Sequence, residues 1–510
     1  MKYLASYIYL LITYLICFSN YKFISLASYA DNFKDLTLAN ELKQGNLLIG
    51  LIQFIGNKES SIPVNKILRF QTENSFLELN SSNGIQHKSK SIELIFKKVP
   101  LQVPIKFKRY VVGPFASYES AKKESLRLES EGIKNIIAYP NDWEVWIRKD
   151  SSNSFNTQFK EIEVKVEDKI VPFLQSKYTY QQLDGPIHIN SIEKISINDK
   201  GYGKVFQLKK DAYGTWTLIQ KISFNRYLQG VIPHEIGSGS PLEALKAQSV
   251  IARTWAIYNA DRFKTDKYHL CITTQCQVYK PTSKNYQNIE KAISDTNNLI
   301  LVFNNKPINA LFHASNGGVS AGADESWQMN SLPYLQPKFD LVNNLNNSFR
   351  LPIENSKNLI NYLNQDSSQF YGNDHYLFRW EKVIKLNQIN NLLIKNELFD
   401  KKGKRVDFKI IERGLSGRVT KLEILQTDRN NSFVLVKDDI RRYLKFLPSN
   451  LFTINKLNDN LWSFKGGGFG HGVGLSQSGA IEMAESGLNY EKILNHYYRG
   501  TKVRNISDLH

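Results

Sequence analysis

Apolar and polar positions alternate with a period of two through residues 45–100, in runs such as "NLLIGLIQFIG" and "SIELIF", and this predicts strands. Residues 109–148 predict strand, turn, helix, strand, strand, with Ser117 or Glu119 opening the helix and Gly132 closing it. The pattern then fades. Residues 150–185 are rich in Ser, Gln and Lys and read as a linker. Strand patterns resume in "IHINSIEKISI", "GKVFQLKK" and "WTLIQKIS". A helix follows, and Ser240, Pro241 and Glu243 predict its start as N-cap, first position and capping box. Leu242, Leu245, Ser249, Ala252 and Ala256 share one face of it, mostly small, which suits close packing.

Residues 300–340 return to strand and turn. The Asn- and Lys-rich stretch 341–410 carries less pattern, and "LSGRVTKLEIL" and "SFVLVKDDIRRYL" are strand-like. The C-terminal stretch predicts a strand, a Gly-rich loop and two short helices, the first ending at Gly487. No repeat of 20–50 residues is visible. The fold class is α+β, a mixed core with a cleft plus a small N-terminal α+β unit. The expected divisions are 1–30, 31–105 (β-rich), 106–150 (the small unit), 151–184 (linker) and 185–510 (main domain).

The N-terminus qualifies this picture. Lys2 precedes an apolar run, Leu4–Phe18, that is short for a membrane span, and "SLASYA" offers a small-x-small cleavage site after Ala30. Residues 1–30 read as a signal peptide or an uncleaved anchor, and either places the bulk of the chain outside the cytoplasm, in the periplasm or cell envelope. The 510 residues carry a net charge of +18, from 66 basic and 48 acidic side chains. That balance suits an anionic partner such as a membrane surface or a cell-wall polymer, or reflects a Lys- and Asn-rich composition with no partner behind it. No zinc-finger or RRM-type motif accompanies the charge, and no nucleic-acid partner is expected. Of the three cysteines, Cys17 lies in the signal region, which leaves Cys271 and Cys276. In an exported chain this pair is a disulfide, half of a metal site or two free thiols.

Four segments carry candidate chemistry. They are "NRYLQGVIPHEI" (225–236) leading into "PLEALKAQSVIARTWA", "TQCQVY" (274–279), "HASNGG" (313–318) and "GGGFGHGVGLSQSGA" (466–480). Together, with "SGRV" and "LPSNLF" in support, they resemble the SpoIID/LytB family, named for the stage II sporulation protein D and for an amidase enhancer. The resemblance covers roughly residues 185–505. It implies a peptidoglycan lytic transglycosylase that cuts between N-acetylmuramic acid and N-acetylglucosamine on strands stripped of their peptides. It implies Glu235 as the catalytic acid and base. The second reading is a non-catalytic, glycan-binding enhancer of an N-acetylmuramoyl-L-alanine amidase. The segment "VVGPFASYESA" resembles part of a SPOR domain, which implies binding of stripped glycan by the small unit.

The residues are compatible with those roles. Cleaving a glycosidic bond needs an acid, and apolar Val231, Ile232 and Ile236 beside Glu235 favour a raised pKa. Gln277, Tyr279, His313, Ser315, Asn316, Gly317, Gly318, His471 and Gln477 are expected along the glycan groove, with His471 and Gln477 brought towards Glu235. Glycines 317 and 318 would let the backbone approach a sugar. No GxSxG elbow surrounds Ser315, which argues against a serine hydrolase. The Gly-rich loop lacks the GK[ST] of a phosphate loop. His269, Cys271 and Cys276 could supply three zinc ligands, as some family members do near this loop, although Gln275 stands where a family His is often found. A Cys271–Cys276 disulfide is the alternative.

Overall fold

The computed structural model describes residues 36–148, 159–281, 284, 286–343, 350–353 and 355–508. The expected signal or anchor and Cys17 lie outside the described residues. Among the described residues no helix is long and apolar enough to cross a membrane.

The chain forms a mixed α+β fold. Its first described helix, α1, spans Leu36–Lys43, and the strand Asn46–Ile55 follows. That strand sits inside a seven-stranded sheet between Leu270–Cys271 and Trp216–Ser223, and the sheet continues through Val205–Lys210, Ile187–Asn190, Leu77–Ser81 and Gln86–Ser89. The strands foreseen in 45–100 are therefore interleaved with those of 187–223, as in the antiparallel pair Ile49 and Gln220. The boundary expected at 184 does not separate two bodies: one apolar core runs from Leu47 to Tyr498. Alternation reveals which face of a strand is buried, but not which strand it pairs with.

The sheet is covered on both sides. Leu47, Ile49 and Leu218 face the main core, whereas Leu48 and Ile219 face a second cluster with Tyr118, Trp143, Phe263 and Tyr268. A strand buried on both faces reads as a nearly continuous apolar run, as "NLLIGLIQFI" does. Gly50 lies where the Tyr268 ring crosses the strand; an added Cβ would come within 2.7 Å of that ring.

Tyr118 and Trp143 come from the small unit. It has the expected order: the end of the long strand Ser91–Phe115, helix α2 (Tyr118–Ser130), and strands Asn135–Ala138 and Trp143–Ile147. Ser117 is the N-cap, its side chain accepting from Ser120 N. The unit packs on the sheet rather than standing apart from it.

The linker reading of 151–184 fails over its second half. Lys160–Gln175 is a strand that pairs along Ser91–Phe115 from Glu93 opposite Gln175 to Val111 opposite Lys160. Its sequence, "KEIEVKVEDKIVPFLQ", alternates charged and apolar residues. Much of this ribbon is open, with its apolar positions only half-buried, so the alternation is legible but the charged composition invites a linker reading.

Helix α3 (Phe224–Ile232) runs into a π turn, Pro233–Gly237, and then into helix α4 (Leu242–Tyr258). The expected capping box of α4 does not form. Pro241 occupies the N-cap position, and the Ser240 hydroxyl donates instead to Ile236 O of the π turn at 2.7 Å. Glu243 pairs with Lys246 at 2.9 Å and accepts from Tyr490 N at 2.8 Å. From Ala244 to Ala256 α4 is buried all round, more deeply than its one predicted face.

The stretch 341–410 resolves into helix Ser356–Leu363, which packs with Val319, Phe370 and Phe378, and helix Leu386–Lys395, which belongs to a further lobe. That lobe has its own core, including Trp380, Ile389, Leu422 and Phe464. The C-terminal pattern holds, with strand Leu461–Gly467 and helices Gln477–Glu485 and Tyr490–Tyr497. The last strand, Lys502–Asn505, returns to pair with Leu299–Phe303.

The Gly50 packing is testable. Gly50→Ala forces a methyl against the Tyr268 ring, and such overpacking costs about 1–3 kcal/mol. A lower midpoint in urea is expected, while Gly239→Ala, with open space around the new Cβ, leaves the midpoint nearly unchanged. Equal midpoints would mean that Tyr268 moves aside freely.

Candidate functional site

Glu235 sits in the middle of the π turn. Helix α3 buries Tyr227, Leu228, Val231 and Ile232, and Pro233 ends it. The wider π turn then aims residue 235 at the loop after Cys276; single π turns recur at functional sites. Val278 N donates to Glu235 Oε1 at 2.7 Å, the one hydrogen bond to this carboxylate among the described residues. Burial pushes the carboxyl above its usual range, and the Val278 amide offsets part of that rise.

Three contacts zip that loop to α3. Tyr227 OH donates to Gln277 Oε1 at 3.0 Å, the Tyr227 and Tyr279 rings stack at 5.5 Å, and Lys280 N donates to Gly230 O at 3.1 Å. Gln277 and Tyr279, expected along the groove, are buried at 1% and 3% exposure. They hold the loop, and the loop holds Glu235.

Cys271 and Cys276 form a disulfide. His269 does not join them. Its Nδ1 accepts from Leu48 N at 2.8 Å, and its Nε2 lies 3.1 Å from Leu38 O. Both ring nitrogens thus serve backbone groups, and among the described residues no three His, Cys, Asp or Glu side chains converge as metal donors. The zinc reading of His269, Cys271 and Cys276 gives way to its alternative.

The other two motifs meet each other. Ser315 and Phe469 exchange backbone hydrogen bonds of 3.1 and 2.8 Å, and Phe312–His313 runs parallel to Leu475–Ser476. Gly317 and Gly318 have φ of 68° and 88°. A Cβ on Gly317 would lie 2.7 Å from the backbone at 467–468, and one on Gly318 would lie 2.6 Å from the Tyr362 hydroxyl. These glycines admit protein neighbours, not a sugar.

Ser315 and Asn316 are buried. Ser315 Oγ accepts from Gly317 N at 3.4 Å, and Asn316 Nδ2 donates to Asp340 Oδ2 at 2.7 Å. His313 is buried, with Nδ1 bonded to Val473 O at 3.1 Å and Nε2 unpaired among the described residues. His471 Nε2 lies 2.8 Å from Phe312 O, its Nδ1 accepts from Val473 N at 3.1 Å, and its ring packs 4.7 Å from Trp327. Burial, aided by Arg441, pushes its pKa down to about 3. A neutral imidazole with both nitrogens on backbone groups serves the loop's own structure.

The four motifs thus form two pairs. Glu235 joins 277–279, and 313–318 joins 466–476. Gln477 links them, its Nε2 donating to Gln248 Oε1 of α4 at 3.4 Å.

Comparison with known proteins covers these motifs in part. Residues 212–303 match the stage II sporulation protein family model, and residues 321–474 match a domain of unknown function. The chain is 29% identical to an uncharacterised protein of Brachyspira hyodysenteriae over 57% of this chain and 68% of that one. It is 28% identical to the amidase enhancer of Bacillus subtilis over 54% of this chain and 40% of that protein, so it spans well under two thirds of that relative. It is 26% identical to the stage II sporulation protein D of Bacillus subtilis over 56% of this chain and 75% of that one.

These matches support the resemblance to the SpoIID/LytB family, carried by residues 212–303. The matched segment 212–303 holds the Glu235 pair of motifs, and His471 falls in the second match. Several residues that build this part of the molecule were not foreseen. Val278 acts through its backbone amide, which leaves no mark in sequence. Arg418 of "SGRV" is buried and donates to Val319 O and Asn316 O at 3.0 and 2.9 Å. Asp340 accepts from Asn316, from Tyr497 OH at 2.9 Å and from His496 Nε2 at 2.6 Å. Burial alone would raise its carboxyl; the His496 contact outweighs that and holds it below the usual range.

Two outcomes are expected. The native state keeps the Glu235 proton to higher pH than the unfolded chain does. The stability tied to this proton is therefore full below the ordinary glutamate value of about 4.3 and is lost as pH rises through the raised native value. Glu235→Gln should be more stable than the parent at neutral pH, with the gap closing below about pH 4; a gap independent of pH would contradict a raised native value. Reducing the disulfide should add two hydrogens to the mass and cost about 2 kcal/mol of stability, the scale of a short closed loop. An unchanged mass would contradict the disulfide.

Proposed function

We propose that the protein is an exported peptidoglycan lytic transglycosylase that cleaves MurNAc–GlcNAc strands, preferentially peptide-stripped, with Glu235 as acid and base. The observation that carries this reading is a largely buried carboxylate that, among the described residues, accepts a hydrogen bond from one backbone amide. Ordinary glycosidases need two carboxylates. A lytic transglycosylase needs one. Protonated Glu235 gives its proton to the glycosidic oxygen as the bond to C1 breaks. The resulting carboxylate takes the proton of the muramyl 6-hydroxyl as O6 attacks C1. The anhydro ring closes, no water is consumed, and Glu235 ends protonated. Intramolecular attack gains from proximity, and a raised pKa keeps the acid form populated to higher pH than in a free glutamate.

The resemblance stated above and the relative named stage II sporulation protein D support a role at the cell wall. Action outside the cytoplasm follows from such a substrate. The relative named amidase enhancer favours the second reading, a glycan-binding partner of a cell-wall amidase. Purified protein on peptide-stripped glycan separates the two. Anhydro-muramic ends are expected; faster release by added amidase, with no new glycan ends, would establish the enhancer.

Glu235→Gln keeps the shape of the side chain and removes the transferable proton. Turnover should fall by at least ~10²–10⁴-fold, the usual worth of general acid–base catalysis, with glycan binding retained in a pull-down. Glu243→Gln, which alters a carboxylate that caps the Tyr490 helix, should keep turnover. If the Glu243 variant alone loses turnover while fully folded, the acid has been misassigned.

A further inference from the structure

We propose that the N-terminal turn of helix α2, in the small α+β unit, is a clamp that positions Glu235, with Glu119, Arg262 and Trp143 as its positioning residues. This rests on Glu235 being the reacting carboxylate.

The clamp is a continuous set of contacts. Glu119 Oε1 accepts from Arg262 Nη2 at 2.5 Å, with the two side chains only 11% and 3% exposed. The guanidinium lies 4.4 Å from the Tyr118 ring and 5.1 Å from the Trp255 ring, so it is flanked by one aromatic from the small unit and one from α4. Its Nη1 donates to Gln275 O at 3.1 Å. The Trp143 indole donates to Gln275 Oε1 at 2.9 Å. Gln275 is thus fixed by main chain and side chain together, from the small unit and its ion pair. Next to it Cys276 is tied to Cys271. Three residues on, Val278 holds Glu235.

The same turn also reaches the other pair of motifs. Ser120 Oγ accepts from Gln328 N at 3.2 Å, and the neighbouring Trp327 packs on His471. Ser117 Oγ donates to Asp438 Oδ2 at 2.5 Å. Apolar packing of Tyr118 and Trp143 against Phe263 and Tyr268 already attaches the unit. The polar contacts add register, because a buried ion pair tolerates no slip that leaves one charge alone.

Two variants test this: Glu119→Gln, which removes the charge of the pair, and Gln275→Leu, which removes the indole bond on a half-exposed loop side chain. Denaturant melts establish that each is folded, and Gln275→Leu keeps the test open where Glu119→Gln fails to fold. Amide exchange across 271–280 should quicken about tenfold in the folded variants, the factor one ordinary hydrogen bond sets. The Val278 amide lowers the Glu235 pKa, so its loosening should move the carboxyl titration, read by carbon-13 NMR against Glu235→Gln, to higher pH. On stripped glycan, kcat should fall about tenfold on the same scale with KM little changed, and the alkaline limb of the rate profile should shift upwards. Glu161→Gln on the exposed ribbon is the unaffected control. Folded variants with parental exchange and parental Glu235 titration would overturn the clamp. If the parent cleaves no glycan, the proposed activity fails instead, and exchange and titration still decide the clamp.

Discussion

One hydrogen bond, from Val278 N to Glu235, sets the terms for the rest of the site. A carboxylate taken out of water is expensive unless something compensates it. Here the compensation is a single amide, enough to orient the group and too little to return its affinity for protons to normal. Everything nearby serves to keep that amide in place. Tyr227 and Tyr279 fix the loop from inside, the disulfide shortens it, and Gln277 ties it to α3. The π turn presents the acceptor. The site is therefore a loop problem as much as a glutamate problem.

A second constraint lies at α4. It is buried on nearly all sides and touches both pairs of motifs, the first through Ala252 O and Gln277, the second through Gln248 and Gln477. Small residues on its surface let helices approach closely, and rigid close packing lets one element hold the spacing between two loops that share no hydrogen bond among the described residues.

Much of this was legible in the sequence. Period-two runs marked the strands at 45–100, the order of elements in 109–148 was readable, and the four motifs pointed to the family. What failed did so for identifiable reasons. The ribbon strand at 160–175 carries a plain alternation, but its charged composition invited a linker reading. The Ser240 hydroxyl was taken by the π turn, a feature with no sequence signature. The direction of the Gly-rich loop was not legible either: it crosses the 313–318 segment, and Gly317 and Gly318 are spent on that crossing. His269 resembled a ligand by spacing, yet both its nitrogens were needed by backbone groups of α1 and its following strand.

The return of Lys502–Asn505 to Leu299–Phe303 has a consequence for how the chain acquires its fold. Leu301, fully buried, lies opposite Val503. Some two hundred residues must be made before that pairing can close. Contacts of such long sequence separation slow folding and leave apolar edges open meanwhile. A nascent chain cannot complete its core from the N-terminus onwards, and the 299–303 strand would stay an unpaired edge until synthesis is nearly finished.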